Sequence, residues 1–202
     1  MITVITPSIR PDGLKMTFEA LQKQTYKGFQ WLPRLSVPRE TSDLCFQMNQ
    51  ALLEAQGDVI VFLQDYIDIE PTALQEIHDM GIKSGEAWTF PMVKEGQKDW
   101  RCFTDRGKEL KYDQWEIDFG ACAREDLRSV DGFFERYDEG FGWENVDSAY
   151  MMSKGGVKFY CNPEIVGRGV DHDAQIEHPY KKTPNRALWE TRKGVIDLMH
   201  DV

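Results

Sequence analysis

The sequence predicts a single α/β domain with a mostly parallel central sheet flanked by helices. Short apolar runs alternate with amphipathic segments through the first half of the chain, in the order β-α-β-α-β-α-β, which is typical of such a sheet. The run from Val59 to Leu63 is unbroken and apolar, as expected for a strand buried on both faces. The length of 202 residues suits one domain with a sizeable core.

The first half of the chain is predicted to contain four strands, which span residues 2–6, 29–35, 59–63 and 87–93. Three helices separate them. The first runs from Gly13 to Gln24 with apolar residues at helical spacing, the second is capped by Ser42 and ends before Gly57, and the third is opened by Pro71. Each helix presents one apolar face, as covering helices do.

The second half is less regular. Residues 95–113 are polar and loop-like, and residues 131–143 form a loop rich in Gly, Asp and aromatic residues. Strands are expected over 115–123 and 159–166, and helices over 144–154 and after Pro184. This divides the single domain of residues 1–202 into a first half, 1–93, a second half, 94–180, and a C-terminal helix, 183–200.

Composition limits the classes of partner. The net charge of −10 argues against a large nucleic-acid footprint and against binding to an anionic membrane, but it permits a small phosphate-bearing ligand. No signal peptide is expected, because the first strand begins at Ile2, and no apolar run approaches the roughly 20 residues of a membrane span. Four widely separated cysteines without a CxxC pair predict free thiols and a cytoplasmic location.

A polar cluster follows the buried strand that ends at Leu63. Its members, Gln64, Asp65 and Tyr66, lie where open α/β sheets bind ligands, beyond the carboxyl ends of the strands. Asp65 is therefore a candidate contact to a ligand or a metal ion. The alternative is an ordinary turn residue at the end of a strand.

Four segments, taken in order, resemble a known family. They are ITVITPSIR, NQALLEAQGDVIVFLQDYIDIEP, WEIDFGACAREDLRSVDGFFERYDEGFGWENVDSAY and the DHD at 171–173. The chain resembles a family-2-type glycosyltransferase with a GT-A fold, which is a Rossmann-like architecture, over roughly residues 1–175. The resemblance implies a nucleotide-binding first half and an acceptor and catalytic second half.

The resemblance implies a set of nucleotide-sugar contacts, which are Thr6, Pro7, Ser8, Arg10, Asp43, Gln64, Asp65 and Tyr66. It also implies that Asp65 and His172 hold Mn²⁺ or Mg²⁺, a hard cation that would share the phosphates of the substrate. The sequence departs from the family's DXD motif here, since only one of the three residues Gln64, Asp65 and Tyr66 is acidic.

The second departure lies in the acceptor segment, where the family has an acidic pair and this chain has Glu144 and Asn145. Because an amide cannot usefully accept a proton, Glu144 is the candidate general base, with Asp147 one helical turn later in reserve. Trp143, Phe141 and Asn145 are candidate acceptor or sugar contacts, because aromatic rings beside carboxylates suit a sugar. The alternative is a solvated acidic loop held by a few core aromatics.

These expectations describe a metal-dependent glycosyltransferase. It would move a sugar from a nucleotide donor, a UDP-sugar first of all, to a hydroxyl of a glycan or another acceptor, with inversion. One alternative is a non-catalytic member that binds nucleotide or glycan without transfer, which Asn145 and the thin DXD motif favour. Another is a transferase of the phage type that acts on modified nucleic acid, against which the acidic composition counts.

Overall fold

The structure, a computed structural model, describes residues 1–35, 43–140, 142–170 and 185–200. Ser42, predicted to cap the second helix, lies outside these ranges. Within them, none of the helices has both the length and the apolar character needed to cross a membrane.

The described chain contains eleven strands, six α-helices and three short 3-10 helices. The strands are β1 Ile2–Ser8, β2 Phe29–Leu35, β3 Val59–Leu63, β4 Ile67–Ile69, β5 Glu86–Thr89, β6 Met92–Lys94, β7 Gln97–Lys98, β8 Glu109–Leu110, β9 Phe119–Ala123, β10 Lys158–Cys161 and β11 Gly167–Gly169. The α-helices are α1 Pro11–Gln22, α2 Leu44–Glu54, α3 Ala73–Met80, α4 Arg124–Ser129, α5 Glu144–Lys154 and α6 Asn185–His200. The 3-10 helices are Trp100–Phe103, Tyr112–Gln114 and Glu135–Glu139.

The central sheet has seven strands in the order β2-β1-β3-β9-β5-β10-β8. Five of them run in one direction, and β9 and β8 run in the other. The predicted α/β fold with a mostly parallel sheet is therefore confirmed. The carboxyl ends of β1, β3 and β5 meet at one edge of this sheet, which we call the carboxyl edge.

Strand β9 is shorter than the predicted strand 115–123 and runs antiparallel between β3 and β5. Leu63 at the end of β3 pairs with Phe119 at the start of β9. The reversed direction means that the residues before Phe119 reach the carboxyl edge, where they join the residues that follow β3. This brings two segments that are distant in sequence to one site.

The predicted strand 87–93 is wrong at its second half, because the chain changes sheets there. Strand β5 belongs to the central sheet, whereas β6 belongs to a four-stranded sheet of order β4-β11-β6-β7. Pro91 lies between them and has no backbone N–H to continue a ladder, while its carbonyl accepts a hydrogen bond from the Gly167 N–H at 2.9 Å. The break therefore lets the chain start the smaller sheet.

The polar stretch 95–113 is also more ordered than predicted. Glu95 and Gly96 have φ angles of 49° and 77° and form the two-residue turn between β6 and β7. Positive φ at both positions is the geometry that suits a tight hairpin, and Gly96 adopts it at no steric cost. Strand β7 was missed because it is only two residues long, whereas two of the three residues of β6 lie within the predicted strand 87–93.

Helices cover both faces of the central sheet. Ile60 and Phe62 point to the face packed by α2, α5 and α6, and Val61 and Leu63 point to the face packed by α1 and α3. All four side chains are at most 1% exposed. The continuous apolar run of β3 thus has its predicted cause, which is burial on both faces. The four cysteines are free thiols, also as predicted.

Candidate functional site

Asp65 lies at the carboxyl edge, two residues after the end of β3, and is 5% exposed. The backbone N–H of Gln64 donates to the carbonyl of Asp118 at 2.9 Å, which joins the end of β3 to the start of β9. Tyr66 is half-buried beside it. The position of Asp65 therefore agrees with the topological argument that selected it from the sequence.

Arg10 and Ser8 hold the Asp65 carboxylate. The Arg10 guanidinium donates from Nε to Oδ2 at 3.1 Å and from Nη2 to Oδ1, and the Ser8 hydroxyl donates to Oδ2. The Arg10 N–H in turn donates to Ser8 Oγ at 2.8 Å. A Cβ at Gly13 would lie 2.4 Å from Asp65 Oδ2, so the absence of a side chain there is what lets α1 approach. Three predicted nucleotide contacts thus form one cluster.

The described residues do not by themselves form a metal site. Asp65 supplies one carboxylate, and its oxygens are already engaged by Arg10 and Ser8. In the described part of the chain, no group of three or more His, Cys, Asp or Glu side chains is placed to hold a metal ion. His172, the second predicted ligand, lies outside the described residues, as does Phe141.

Thr6 and Pro7 are buried within β1, so their side chains shape the end of the strand. Thr6 Oγ1 accepts a hydrogen bond from the Trp31 indole at 3.1 Å. Asp43 lies at the start of α2 and accepts a hydrogen bond from the Gln47 amide at 3.2 Å. The N–H groups of that helix terminus donate to Asp138, from Cys45 at 2.8 Å and Phe46 at 2.9 Å.

A buried cation that the sequence analysis missed lies at the same edge. Arg101 is 3% exposed and lies between two carboxylates. Its guanidinium donates to both oxygens of Asp118 at 2.7 and 2.8 Å, to Asp99 at 2.7 Å and to Thr89 Oγ1 at 2.9 Å. Burial opposes the charge of Arg101, but the hydrogen bonds and charges of Asp118 and Asp99 outweigh it and raise its pKa.

Glu116 completes this edge, and it too was missed. Its side chain is half-buried, and its two neighbours in the sequence, Trp115 and Ile117, are buried. Burial raises the pKa of Glu116 to about 7, with Asp118, Glu144 and Asp99 acting in the same direction and Arg101 opposing them. The signal was present in the sequence, since acids alternate with apolar residues at 115–119 directly before a strand.

Tyr66 connects the two parts of the edge. Burial, followed by the charges of Asp118 and Asp65, raises the pKa of its hydroxyl, and Glu116 contributes to the same effect. The carboxylates of Asp65, Asp118 and Glu116 therefore share one electrostatic environment around Tyr66. This is the convergence that the order of strands in the sheet produces.

Glu144 and Asn145 begin α5, whose bounds agree with the predicted helix 144–154. Glu144 is half-buried. Burial and the charge of Asp138 raise its pKa, and its own backbone N–H opposes this shift. The Asn145 amide donates to the Trp115 carbonyl at 3.0 Å and to Glu116 Oε2 at 3.4 Å. Asn145 therefore connects α5 to the carboxyl edge.

Asp147, the candidate base held in reserve, is buried and paired with a cation. It is 1% exposed, and both of its oxygens accept hydrogen bonds from Arg192 Nε of α6, at 2.8 and 3.0 Å. Burial raises the pKa of Asp147, and the Arg192 cation opposes this shift. The residue is placed to join α5 to α6, because helical spacing turns it away from the face that carries Asn145.

The aromatic residues of the loop 131–143 are mostly core residues. Phe133 and Tyr137 are each 2% exposed and belong to the main hydrophobic cluster. Trp143 is half-buried and stacks on Trp189 of α6, with ring centroids 6.3 Å apart. Phe133 and Tyr137 are therefore not placed to stack on a sugar, because their apolar rings fill the space between α2, α5 and the sheet.

Comparison with solved structures identifies the fold. The chain is similar to TarS of S. aureus, residues 1–349 in complex with UDP-GlcNAc, with a TM-score of 0.65 and 15% identity over 86% of this chain and 59% of that one. The complex of the same protein with UDP has a TM-score of 0.64 and 14% identity, over 84% of this chain and 60% of that one. A further crystal structure of TarS has a TM-score of 0.64 and 13% identity, over 84% of this chain and 36% of that one.

The chain thus spans about three fifths of the length of TarS 1–349. No protein-family model and no curated protein matches its sequence. The likeness establishes that the chain has a GT-A-like fold of the kind found in TarS.

Proposed function

We propose that this chain transfers a sugar from a nucleotide-sugar donor, a UDP-sugar first of all, to an acceptor hydroxyl. The cluster of Ser8, Arg10 and Asp65 at the carboxyl edge carries the proposal, because it gathers predicted donor contacts where α/β sheets bind ligands. Support comes from the fold shared with TarS, for which complexes with UDP-GlcNAc and UDP are known. The acceptor would be a glycan or another molecule with a free hydroxyl.

Departure of a nucleoside diphosphate leaves negative charge on a phosphate oxygen, so the site needs a fixed positive group. Arg10 supplies one, since its guanidinium can bind phosphate oxygens in a forked geometry. In the structure this cation is paired with Asp65, with side chains 12% and 6% exposed. The pair is oriented by Ser8 and by the close approach of α1, so the cation is held in place before a donor arrives.

Transfer with inversion needs a carboxylate that takes the proton of the acceptor hydroxyl. Glu144 and Glu116 are both half-buried, and burial raises the pKa of each, which makes each a better proton acceptor at neutral pH. The Asn145 amide lies between their backbone segments.

Assistance by Mn²⁺ or Mg²⁺ is a further part of the proposal. Asp65 and His172 would be its protein ligands, and the ion would neutralise charge on the departing diphosphate. Because Arg10 and Ser8 engage Asp65, a metal ion would have to compete with them for its oxygens. The four free thiols favour a reducing compartment such as the cytosol for this activity.

The first prediction is that UDP binds to the native protein and raises its melting temperature, since a ligand specific to the folded state stabilises it by mass action. Calorimetric titration with UDP, UDP-GlcNAc and ADP measures the affinity directly. Replacement of Arg10 by Gln should weaken UDP binding at least tenfold. The matched control is Arg186→Gln, which removes an exposed cation on α6. Equal loss in both variants, or no UDP binding by the native protein, contradicts the proposal.

The same titration tests the metal. If Asp65 holds Mn²⁺, UDP should bind more tightly with Mn²⁺ than with EDTA, and Asp65→Asn should remove that difference. Because the substitution also releases Arg10 from its partner, binding of UDP in EDTA should be kept or strengthened. Identical affinities of the native protein in Mn²⁺ and EDTA would remove the metal from the mechanism.

A non-catalytic binding protein is the second candidate, and Asn145 is the observation that favours it. The amide stands where the resembling family has an acid, and it is used here as a hydrogen-bond donor. Such a protein would bind UDP without releasing it from any UDP-sugar. Prolonged incubation with UDP-sugars, with UDP release as the measured product, separates the two candidates.

A further inference from the structure

Among the described residues, no cation forms an ion pair with Glu116, in contrast to Asp65, Asp118 and Asp99. Asp65 is bound by Arg10, and Asp118 and Asp99 are bound by Arg101. The Glu116 carboxylate accepts a hydrogen bond from the neutral amide of Asn145 at 3.4 Å. A carboxylate whose charge is not neutralised keeps its basicity, whereas ion-paired carboxylates are weak bases.

The position of Glu116 is fixed by its backbone. Its carbonyl accepts a hydrogen bond from Thr89 Oγ1 at 3.2 Å, and the side chains on either side of it, Trp115 and Ile117, are 0% and 5% exposed. The Asn145 amide also donates to the Trp115 carbonyl at 3.0 Å. The backbone segment that carries Glu116 is thus held in place by hydrogen bonds and buried neighbours. A proton acceptor in catalysis requires such a fixed position.

Glu116 and Glu144 face different neighbours. Glu116 lies two residues before Asp118, whose carbonyl accepts a hydrogen bond from the Gln64 N–H at 2.9 Å, so its segment adjoins the end of β3. Glu144 is acted on by Asp138, which caps α2, and it affects the Cys45 thiol of that helix. Of the two carboxylates, Glu116 is the one whose backbone segment is hydrogen-bonded to the chain directly before Asp65.

We propose that Glu116 is the general base of the transfer reaction and that Asn145 is its positioning residue. This inference rests on the proposed function. Glu116 takes the proton of the acceptor hydroxyl while the acceptor oxygen forms a bond to the anomeric carbon of the sugar. The bond from that carbon to the diphosphate oxygen breaks, and its electron pair leaves with UDP. Glu116 ends protonated and returns the proton to solvent.

A base should ionise near the pH at which the enzyme works, because it must be both deprotonated and a strong proton acceptor. Burial raises the pKa of Glu116 to about 7, and the charges that face it reinforce this from three segments: Asp118 from its own segment before β9, Glu144 from α5, and Asp99 from the loop before the first 3-10 helix. Arg101 is the cation that opposes them. The rate of UDP release should therefore rise with pH around 7.

The test compares Glu116→Gln with Glu144→Gln, using UDP release from UDP-GlcNAc and UDP-glucose, with water and a panel of sugars as acceptors. Loss of a general base costs roughly 10²- to 10⁴-fold in rate. Glu116→Gln should lose that factor and the rise around pH 7, keep UDP affinity within about threefold, and partly recover as Glu116→Asp. The control Glu125→Gln, at an exposed position of α4, should release UDP at the native rate.

The outcomes separate the two levels of the proposal. Native rates in Glu116→Gln together with a large loss in Glu144→Gln overturn the role of Glu116 and leave the proposed function intact. UDP binding by the native protein without UDP release from any donor overturns the base assignment and identifies a binding protein. Failure of the native protein to bind UDP overturns the proposed function and this inference together. A melting temperature of Glu116→Gln at or above the native value excludes misfolding as the cause of a loss.

Discussion

At the scale of single residues, the cluster of Ser8, Arg10 and Asp65 depends on a position that carries no side chain. Gly13 lies in the first turns of α1, and a Cβ there would meet the Asp65 side chain at 2.4 Å and its carbonyl at 2.9 Å. One of these atoms belongs to the backbone, so the contact cannot be relieved by a side-chain rotation alone. The helix therefore reaches the carboxyl edge only because this residue is glycine.

Gly13→Ala should therefore displace Asp65 and Arg10 from their present pairing. We expect a loss of about 1–3 kcal/mol in unfolding free energy from overpacking, and a weaker affinity for UDP. Gly194→Ala is the control, because nothing lies within 4 Å of a Cβ at that position of α6 and alanine favours a helix. Urea unfolding and UDP titration of both variants check this. If Gly13→Ala binds UDP like the native protein, the present position of Arg10 is not what donor binding needs.

At the scale of elements, α5 carries two different functions on two faces. Asn145 reaches the carboxyl edge through Trp115 and Glu116, and Asp147 reaches α6 through Arg192. Tyr150 of α5 also packs against Trp189 of α6, with ring centroids 5.2 Å apart. Helix α5 thus contacts both α6 and the edge of the sheet that carries the candidate base.

Asp147→Asn should lower the unfolding free energy by about 2 kcal/mol, because Arg192 loses a charged partner to which it donates two hydrogen bonds. The donor affinity should not change, since Asp147 lies away from the cluster of Asp65. The control is Glu190→Gln on α6, which breaks an exposed ion pair with Arg186. It should lower the unfolding free energy by less than about 1 kcal/mol. Equal stability of the two variants would mean that the Asp147–Arg192 pair does not join the helices.

At the scale of the whole molecule, several carboxylates ionise less readily in the folded protein than in the unfolded chain. Burial raises the pKa of Glu116 to about 7 from an ordinary value of 4.5, and it also raises the pKa of Glu144, Asp147 and Asp138. At pH values between 4.5 and about 7, the folded protein therefore holds protons that the unfolded chain has lost. Unfolding then releases protons, so the unfolding free energy falls as pH rises.

We expect the protein to be more stable at pH 5 than at pH 8, with the largest change between pH 4.5 and 7. Glu116 alone should contribute on the order of 2 kcal/mol, allowing for its partial exposure to solvent. Glu116→Gln removes this contribution and should flatten the profile, whereas Glu125→Gln should not. Urea unfolding at pH 5, 6, 7 and 8 measures it. A stability that increases with pH in the native protein would contradict the raised pKa values.

The local signals in the sequence were sufficient where one segment decides its own structure. The apolar run of β3, the helix from Glu144 to Lys154 and the polar cluster after Leu63 were all identified, because periodicity and the order of elements are written along the chain. The position of Asp65 at the carboxyl edge followed from the same order. Strands of two or three residues, such as β4 and β7, were missed because they are too short to show a period.

The sequence by itself determined the α/β class, the central strand and the edge at which Asp65 lies. Only the tertiary structure decided that β9 enters the sheet antiparallel beside β3, which brings Glu116 and Asp118 to that edge, and that Arg101 is buried between its two carboxylates. The physical reason is that strand order and direction depend on pairing between distant segments, as between Leu63 and Phe119. A local pattern such as the alternation at 115–119 can mark polar residues beside a strand, but it does not indicate which distant segment they will join.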